Sequence, residues 1–184
     1  MGYLRASARS AAVIGAVFLT QVAVAAPGAH AEAPVAAVPA PGVYTIANLN
    51  SGKCLGVGGP ANKAEGAVTL QWVCLADAAD QKWELFQSPD VPADAYSFKN
   101  VNSGLCLTVS DPAKNGSAVV QSACKPNPVQ GWRLGAVGAN FQLKSYANNN
   151  NLDVTASSTA DGARVLQWTP SSNPNQVWVF KPVA

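Results

Sequence analysis

The segment Asn151–Trp178 reads NLDVTASSTADGARVLQWTPSSNPNQVW, and its pattern occurs twice more in the chain. Each copy has an x-Leu-x-Val tetrapeptide, then a turn glycine, then a closing Gln-x-Trp motif. The tetrapeptides begin at Cys54, Cys106 and Asn151, and the glycines are Gly66, Gly116 and Gly162. The closing tryptophans are Trp83, Trp132 and Trp178. Because these elements recur in the same register, the chain is predicted to contain three copies of one structural unit.

Each copy divides into about four short alternating runs, separated by Gly, Asn, Asp or Pro. This alternation is typical of β-strands joined by tight turns, and no segment after residue 43 keeps a helical period. We therefore predict an all-β fold of about twelve strands, in three repeats around a pseudo-threefold axis. Such closure leaves few sheet edges unpaired, and it brings one closing tryptophan per copy into a shared core.

The four cysteines follow the repeats. Cys54 and Cys74 lie in the first copy, and Cys106 and Cys124 lie in the second. The equivalent positions of the third copy hold no cysteine; they are Asn151 and Pro170. Four cysteines allow three connectivities, and only pairing within a copy respects the repeat. We predict the disulfides Cys54–Cys74 and Cys106–Cys124.

The beginning of the chain has a different composition. Arg5 and Arg9 precede an apolar run from residue 11 to residue 26, and small residues follow at Ala29 and Ala31. These features predict a secretory signal peptide over residues 1–31. The alternative is a membrane anchor, but the run of about sixteen residues is shorter than the roughly 20 that a spanning helix needs.

Residues 32–42 are rich in Ala and Pro and are predicted to be a linker. The folded domain is then expected to cover residues 43–183. With its leader removed the protein is expected to be secreted to the extracellular space, with no membrane span in the mature chain.

Charge and histidine content exclude several function classes. The net charge of +2 comes from Arg5 and Arg9, so the mature chain keeps ten basic and ten acidic residues and has no electrostatic footprint for nucleic acid. The single histidine, His30, leaves with the leader. Histidine-dependent catalysis and histidine zinc sites are therefore excluded in the mature chain. No spacing singles out a carboxylate pair, and we expect no enzyme activity, metal or cofactor.

These motifs resemble the ricin B-chain-like lectins, also called family 13 carbohydrate-binding modules. The resemblance covers residues 43–183 and rests on the triple Gln-x-Trp motif, on Cys-Leu-x-Val and on the flanking cysteines. It implies a β-trefoil fold and binding of galactose-type or related glycans. It also implies a structural role in the core for Trp83, Trp132 and Trp178.

In that family the sugar site of each repeat uses the Asp of Cys-Leu-Asp-Val, an aromatic residue and an Asn-Gln pair. A carboxylate accepts hydrogen bonds from sugar hydroxyls, an indole offers a flat apolar face to a pyranose ring, and an amide supplies a donor and an acceptor. The third copy matches in full, and the resemblance implies a sugar site formed by Asp153, Gln167, Trp168, Asn175 and Gln176.

The other two copies depart from this pattern. The first keeps Gln71, Trp72 and Gln81, but it has Gly56 in place of the carboxylate and Asp80 in place of the Asn. The second copy has lost all three contact types, and its residues are Thr108, Ser122 and Val129. We expect a working site in the third repeat, an incomplete one in the first and none in the second.

The leading functional hypothesis is a secreted, monomeric lectin module whose partners are glycans or glycoconjugates. The loss of two sites keeps open a second hypothesis, a protein-binding β-trefoil such as a protease inhibitor. A glycosidase is the third hypothesis, and it would require a pair of facing carboxylates.

Overall fold

The computed structural model describes residues 1–2, 37–59, 62–89 and 91–183. Apart from Met1 and Gly2, the predicted signal peptide lies outside the described residues, as do residues 32–36 of the predicted linker. The described parts of the chain form twelve β-strands. They are β1 (Gly42–Asn48), β2 (Cys54–Val57), β3 (Thr69–Trp72), β4 (Lys82–Phe86), β5 (Ser97–Asn100), β6 (Cys106–Val109), β7 (Val119–Ser122), β8 (Trp132–Val137), β9 (Asn140–Ser145), β10 (Asn151–Val154), β11 (Val165–Trp168) and β12 (Trp178–Pro182).

Short 3-10 turns are the helical elements of the described residues. They are Ala79–Gln81, Pro128–Gln130, Thr155–Ser157 and Pro174–Gln176. Three of them end at the Gln of a Gln-x-Trp motif. In each case the next strand begins within two residues of that Gln. Among the residues that the structure describes, no helix has the length and apolar character needed to cross a membrane.

Six strands form a barrel. β1 pairs with β4 and β12, β4 pairs with β5, and β9 pairs with β8 and β12, all antiparallel. A bridge between Tyr96 and Trp132 joins the start of β5 to the start of β8 and closes the ring. Closure of the barrel leaves no free edge in the ring.

The other six strands form three hairpins, β2–β3, β6–β7 and β10–β11. Single bridges link each hairpin to the other two: Val68 to Val120, Leu70 to Arg164, and Ala118 to Leu166. The hairpins therefore meet as a triangular cap on the barrel, which is the β-trefoil architecture predicted from the sequence.

The three closing tryptophans lie in the core and are fully buried. Each indole N–H donates to the carbonyl of the leucine in its own x-Leu-x-Val strand, at 2.9 to 3.1 Å. Those leucines are Leu55, Leu107 and Leu152. The same pair of motifs therefore joins barrel and cap in every repeat, and the polar atom of each buried ring is satisfied.

Three buried glutamines, one in each hairpin, join the repeats into a ring. Gln71 of the first repeat donates to the carbonyls of Ser158 and Ala160 in the third, at 2.8 and 3.0 Å. Gln121 makes the equivalent bonds from the second repeat to the first, and Gln167 makes them from the third to the second. Every repeat therefore donates side-chain hydrogen bonds to one neighbouring repeat and accepts them from the other.

Both predicted disulfides are confirmed, Cys54–Cys74 and Cys106–Cys124, each with a Cα–Cα distance of 5.0 Å. The third repeat replaces the cross-link with a hydrogen bond. Asn151 takes the place of the first cysteine, and its Nδ2 donates to Oε1 of Gln176 at 2.9 Å. A buried amide thus ties β10 to the segment before β12 without a covalent bond.

Removal of one disulfide is expected to lower the free energy of unfolding by about 3 kcal/mol, because a closed loop of this size restricts the unfolded chain. The change is Cys54→Ala with Cys74→Ala, which opens a loop with a sequence separation of 20. Urea unfolding of the double variant and of the matched pair Cys106→Ala with Cys124→Ala measures the loss. A loss below about 1 kcal/mol in both double variants would contradict the loop-closure account.

Candidate functional site

The third repeat carries a cleft of about 580 Å³ between its hairpin and the turn Pro174–Gln176. Asp153 on β10 and Trp168 at the end of β11 line it, together with Asn175 and Gln176. The hairpin register pairs Asn151 with Trp168 and Asp153 with Leu166. Antiparallel pairing therefore places the carboxylate and the indole on adjacent strands at one cleft.

Asp153 is almost completely buried, with 5% of its surface exposed. Nδ2 of Asn175 and Nε2 of Gln176 both donate to its Oδ2, at 2.9 and 2.8 Å. No described residue donates to Oδ1. Burial raises the pKa of the Asp153 carboxyl above its ordinary value, and the hydrogen bonds from Gln176 and Asn175 partly offset this rise. One oxygen is thus fixed by the protein while the other is left unpaired.

The orientation of Gln176 is set by its neighbours. Its Oε1 accepts from Nδ2 of Asn151 and from the backbone N–H of Ser171, so its Nε2 must face Asp153 and the Thr169 carbonyl. The asparagine that stands in for a disulfide cysteine is therefore part of the support for the carboxylate. Oδ1 of Asn175 is buried and has no hydrogen-bond partner in the described residues.

Trp168 is 46% exposed, unlike the three core tryptophans. Its ring lies against Gly116 of the second repeat, where an added Cβ would stand 2.7 Å from Cζ3 of the indole. Gly116 also has a φ of +82°, which a residue with a side chain adopts only with strain. A glycine at this turn therefore allows the indole to pack on the backbone of the neighbouring repeat while part of it stays open to solvent.

The structure does not bring Gln167 or Gln71 to a cleft. Both side chains are fully buried. Nε2 of Gln167 donates to the carbonyls of Asp111 and Lys114, and its Oε1 accepts from Asn148. The polar atoms of these glutamines are occupied in joining the repeats, and their placement is structural.

The first repeat has a smaller cleft of about 360 Å³, lined by Trp72, Asp80 and Gln81 among others. Trp72 is 44% exposed and lies beside Gly162 of the third repeat. Gln81 is occupied by the backbone, because Nε2 donates to the Val73 carbonyl and Oε1 accepts from the N–H of Leu75. The two tryptophans thus pack on equivalent turn glycines of a neighbouring repeat, whereas the carboxylates of the two clefts come from different elements.

In the second repeat the equivalent polar groups bond to one another. Thr108 and Ser122 share a hydrogen bond of 2.9 Å, and Nε2 of Gln130 donates to both hydroxyls and to the Ala123 carbonyl. The N–H of Lys125 donates to Oε1 of Gln130. These groups form a closed network, with no carboxylate and no indole at the position of Trp168.

A known protein family matches the repeated region of the chain. A family model described as ricin-type β-trefoil lectin domain-like matches residues 35–122, 79–168 and 128–184. The chain belongs to this family. This match confirms the family and the β-trefoil fold of the ricin-type domain that the sequence predicted.

The ricin-type domain is similar to a curated protein and to two proteins of known structure. An exo-β-1,6-galactobiohydrolase of Bifidobacterium longum subsp. longum is 29% identical over 80% of this chain, and the chain spans about a tenth of that relative. An exo-β-1,3-galactanase from Clostridium thermocellum is 28% identical, with a TM-score of 0.72 over 80% of this chain and 31% of that one. ThreeFoil, a designed threefold-symmetric protein, is 29% identical, with a TM-score of 0.70 over 75% of this chain and 96% of that one.

Sequence reasoning missed the polar wall of the third-repeat cleft in this ricin-type domain. That wall consists of Thr155, Ser157, Thr169, Ser171 and Asn173. These residues lie in turns between the repeated motifs, where the three copies differ. The available signal was the run of Ser, Thr and Asn around both turns, which is equally typical of any loop.

Proposed function

We propose that this protein is a secreted carbohydrate-binding module whose third-repeat cleft binds a glycan of galactose type. The observation that carries the proposal is the pairing of a half-exposed Trp168 with the unpaired Oδ1 of Asp153 in one cleft. A pyranose ring has both an apolar C–H face and a hydroxyl-bearing edge. The indole matches the first of these and the carboxylate matches the second.

The carboxylate contributes because its free oxygen accepts hydrogen bonds from sugar hydroxyls in a largely water-excluded place. Hydrogen bonds to a charged group contribute about 1.5–3 kcal/mol. The bonds from Asn175 and Gln176 to Oδ2 hold the carboxylate in one orientation before the ligand arrives. Pre-organisation of this kind lowers the entropic cost of binding.

The preference for galactose-type glycans draws on the two galactan-degrading enzymes. This chain resembles a tenth of one and less than a third of the other. We infer that the shared portion is a binding module rather than the catalytic part. One site binds a sugar weakly, so we expect modest affinity unless several copies act together.

A glycan array probed with the purified protein tests this function. We expect binding to galactose-containing glycans that is lost in the double variant Asp153→Ala with Trp168→Ala. The matched control is Thr108→Ala with Ser122→Ala, which changes the equivalent positions of the second repeat and is expected to keep binding.

Binding that survives the Asp153→Ala, Trp168→Ala double variant would contradict the proposed site. Capture of a protein that free sugars do not displace would instead favour the protein-binding β-trefoil. Incubation with labelled galactosides is expected to release no product. Hydrolysis would show that the protein is an enzyme rather than a binding module.

A further inference from the structure

The cleft of the first repeat differs in chemistry from that of the third. Its walls are mainly apolar, and they are formed by Val57, Leu70, Leu75 and Ala78. One carboxylate, that of Asp80, lines it. Asp80 lies on the 3-10 turn Ala79–Gln81 and not on a hairpin strand. A neutral, fully hydroxylated sugar therefore finds fewer polar partners here than in the third repeat.

The Asp80 carboxylate differs from that of Asp153 in its hydrogen-bond partners. Its residue is 7% exposed, and within the described parts of the chain no other residue donates a hydrogen bond to the carboxylate or forms an ion pair with it. Asp153, by contrast, receives bonds from two amides. Burial raises the pKa of Asp80, with some opposition from its own backbone N–H. A carboxylate in so largely buried a place is stabilised when a counter-charge binds to it.

Gly56 leaves room for this arrangement. A Cβ at position 56 would stand 3.3 Å from Oδ2 of Asp80 and 3.2 Å from Cγ of Gln81. Position 56 on β2 carries no side chain, and the carboxylate of Asp80 lies directly against the space that one would fill. Asp80 also stands at the position where the third repeat has the amide of Asn175.

Two further groups favour a positively charged ligand. Trp72, which is 44% exposed, lines the cleft, and an indole face attracts cations as well as pyranose C–H groups. Asp77 and Asp80 both line a second depression, which shares Leu75 and Ala78 with the cleft, so a second carboxylate lies on the adjoining surface.

We propose that the first-repeat cleft binds the protonated amine of an amino sugar, such as a 2-amino-2-deoxyhexose. The ammonium group supplies the positive charge and the donors that the Asp80 carboxylate lacks, while the pyranose ring lies against Trp72. An N-acetylated sugar has neither the charge nor three donors on nitrogen. This second site goes beyond the proposed function, since its ligand differs in charge from that of the third repeat.

Titrations with glucosamine, N-acetylglucosamine and galactose, followed by NMR of the tryptophan indole N–H groups, test the proposal. The chain has five tryptophans, and Trp72→Phe and Trp168→Phe assign the two exposed ones. In the unsubstituted protein we expect glucosamine to shift the Trp72 signal at concentrations at least about tenfold lower than N-acetylglucosamine, in line with a charge-assisted bond. Added salt is expected to weaken this binding.

Asp80→Asn is expected to remove the preference for the amine, with glucosamine reduced to the level of N-acetylglucosamine. Glu84→Gln is the matched control, because it removes an exposed carboxylate that pairs with Lys99 on the barrel, and it is expected to keep the preference. Equal shifts from all three sugars in the unsubstituted protein would overturn the proposal. Loss of the preference in Glu84→Gln as well would show that net charge is responsible and would also overturn it. Neither result affects the third-repeat site, because that site is tested by its own variants, Asp153→Ala with Trp168→Ala.

Discussion

Replacement of Trp132 by alanine is expected to lower the free energy of unfolding by about 3–5 kcal/mol. The indole is fully buried in the core, and its N–H donates to the Leu107 carbonyl at 3.1 Å. Truncation leaves a large cavity, and it also leaves that buried carbonyl without its partner. Because domains of this kind are stable by only about 5–15 kcal/mol, the variant should lose much of its stability.

Urea unfolding followed by circular dichroism measures the change, and Trp168→Ala provides the matched control. That tryptophan is half-exposed, so its removal is expected to cost about 1 kcal/mol or less. Equal losses in the two variants would contradict the assignment of one indole to the core and the other to the cleft.

Asp153→Asn is expected to weaken binding of a galactose-type glycan about 10- to 100-fold at neutral pH. The substitution keeps the shape of the side chain but removes its charge, and each tenfold loss corresponds to about 1.4 kcal/mol. Titration calorimetry against a glycan selected on the array measures the loss. An unchanged affinity would show that the carboxylate does not contact the ligand.

Acidification should have the same effect as this substitution. Burial raises the pKa of Asp153, so its carboxylate gains a proton at a higher pH than an exposed aspartate. Affinity is therefore expected to fall as the pH falls through this raised pKa. The Asp153→Asn variant should lose this pH dependence.

The contribution of Asp153 to the stability of the protein should respond to pH with the opposite sign. Because the folded-state pKa of Asp153 lies above its ordinary value of 3.8, the folded state binds this proton more tightly than the unfolded state does. The contribution of Asp153 to stability therefore rises as the pH falls from above the raised pKa towards 3.8. Comparison of unfolding in the wild type and in Asp153→Asn isolates this contribution, and a wild-type stability that falls relative to that of the variant on acidification would contradict it.

The repeats made much of the fold predictable. Recurrence of the x-Leu-x-Val and Gln-x-Trp motifs in one order implied three units, and the register of the cysteines within them implied the pairs Cys54–Cys74 and Cys106–Cys124. Such features are local in sequence and recur, so each copy supports the interpretation of the other two. Closure of the barrel at the bridge between Tyr96 and Trp132 depends on contacts between repeats, which spacing alone does not specify.

The candidate site was predictable only in part. Successive side chains of a strand point to opposite faces, so an exposed Trp168 requires that Gln167 points inward. Strand alternation thus contained the signal that separates the two residues. The placement of Asp80 beside Gly56 had no such signal, because it brings a 3-10 turn next to a strand across 23 intervening residues and depends on the path of the loop between them.

The ring of glutamines has a consequence for chain order. Gln71, Gln121 and Gln167 connect the repeats cyclically, and the first strand of the domain pairs with the last, with the N–H of Val183 donating to the Val43 carbonyl at 2.9 Å. Each repeat therefore contacts both of the others, and none lies at an end of the fold. A circular permutant that joins residues 183 and 42 and opens the chain between two repeats would retain every one of these contacts. The architecture depends on which repeats are neighbours, and it is indifferent to which of them is synthesised first.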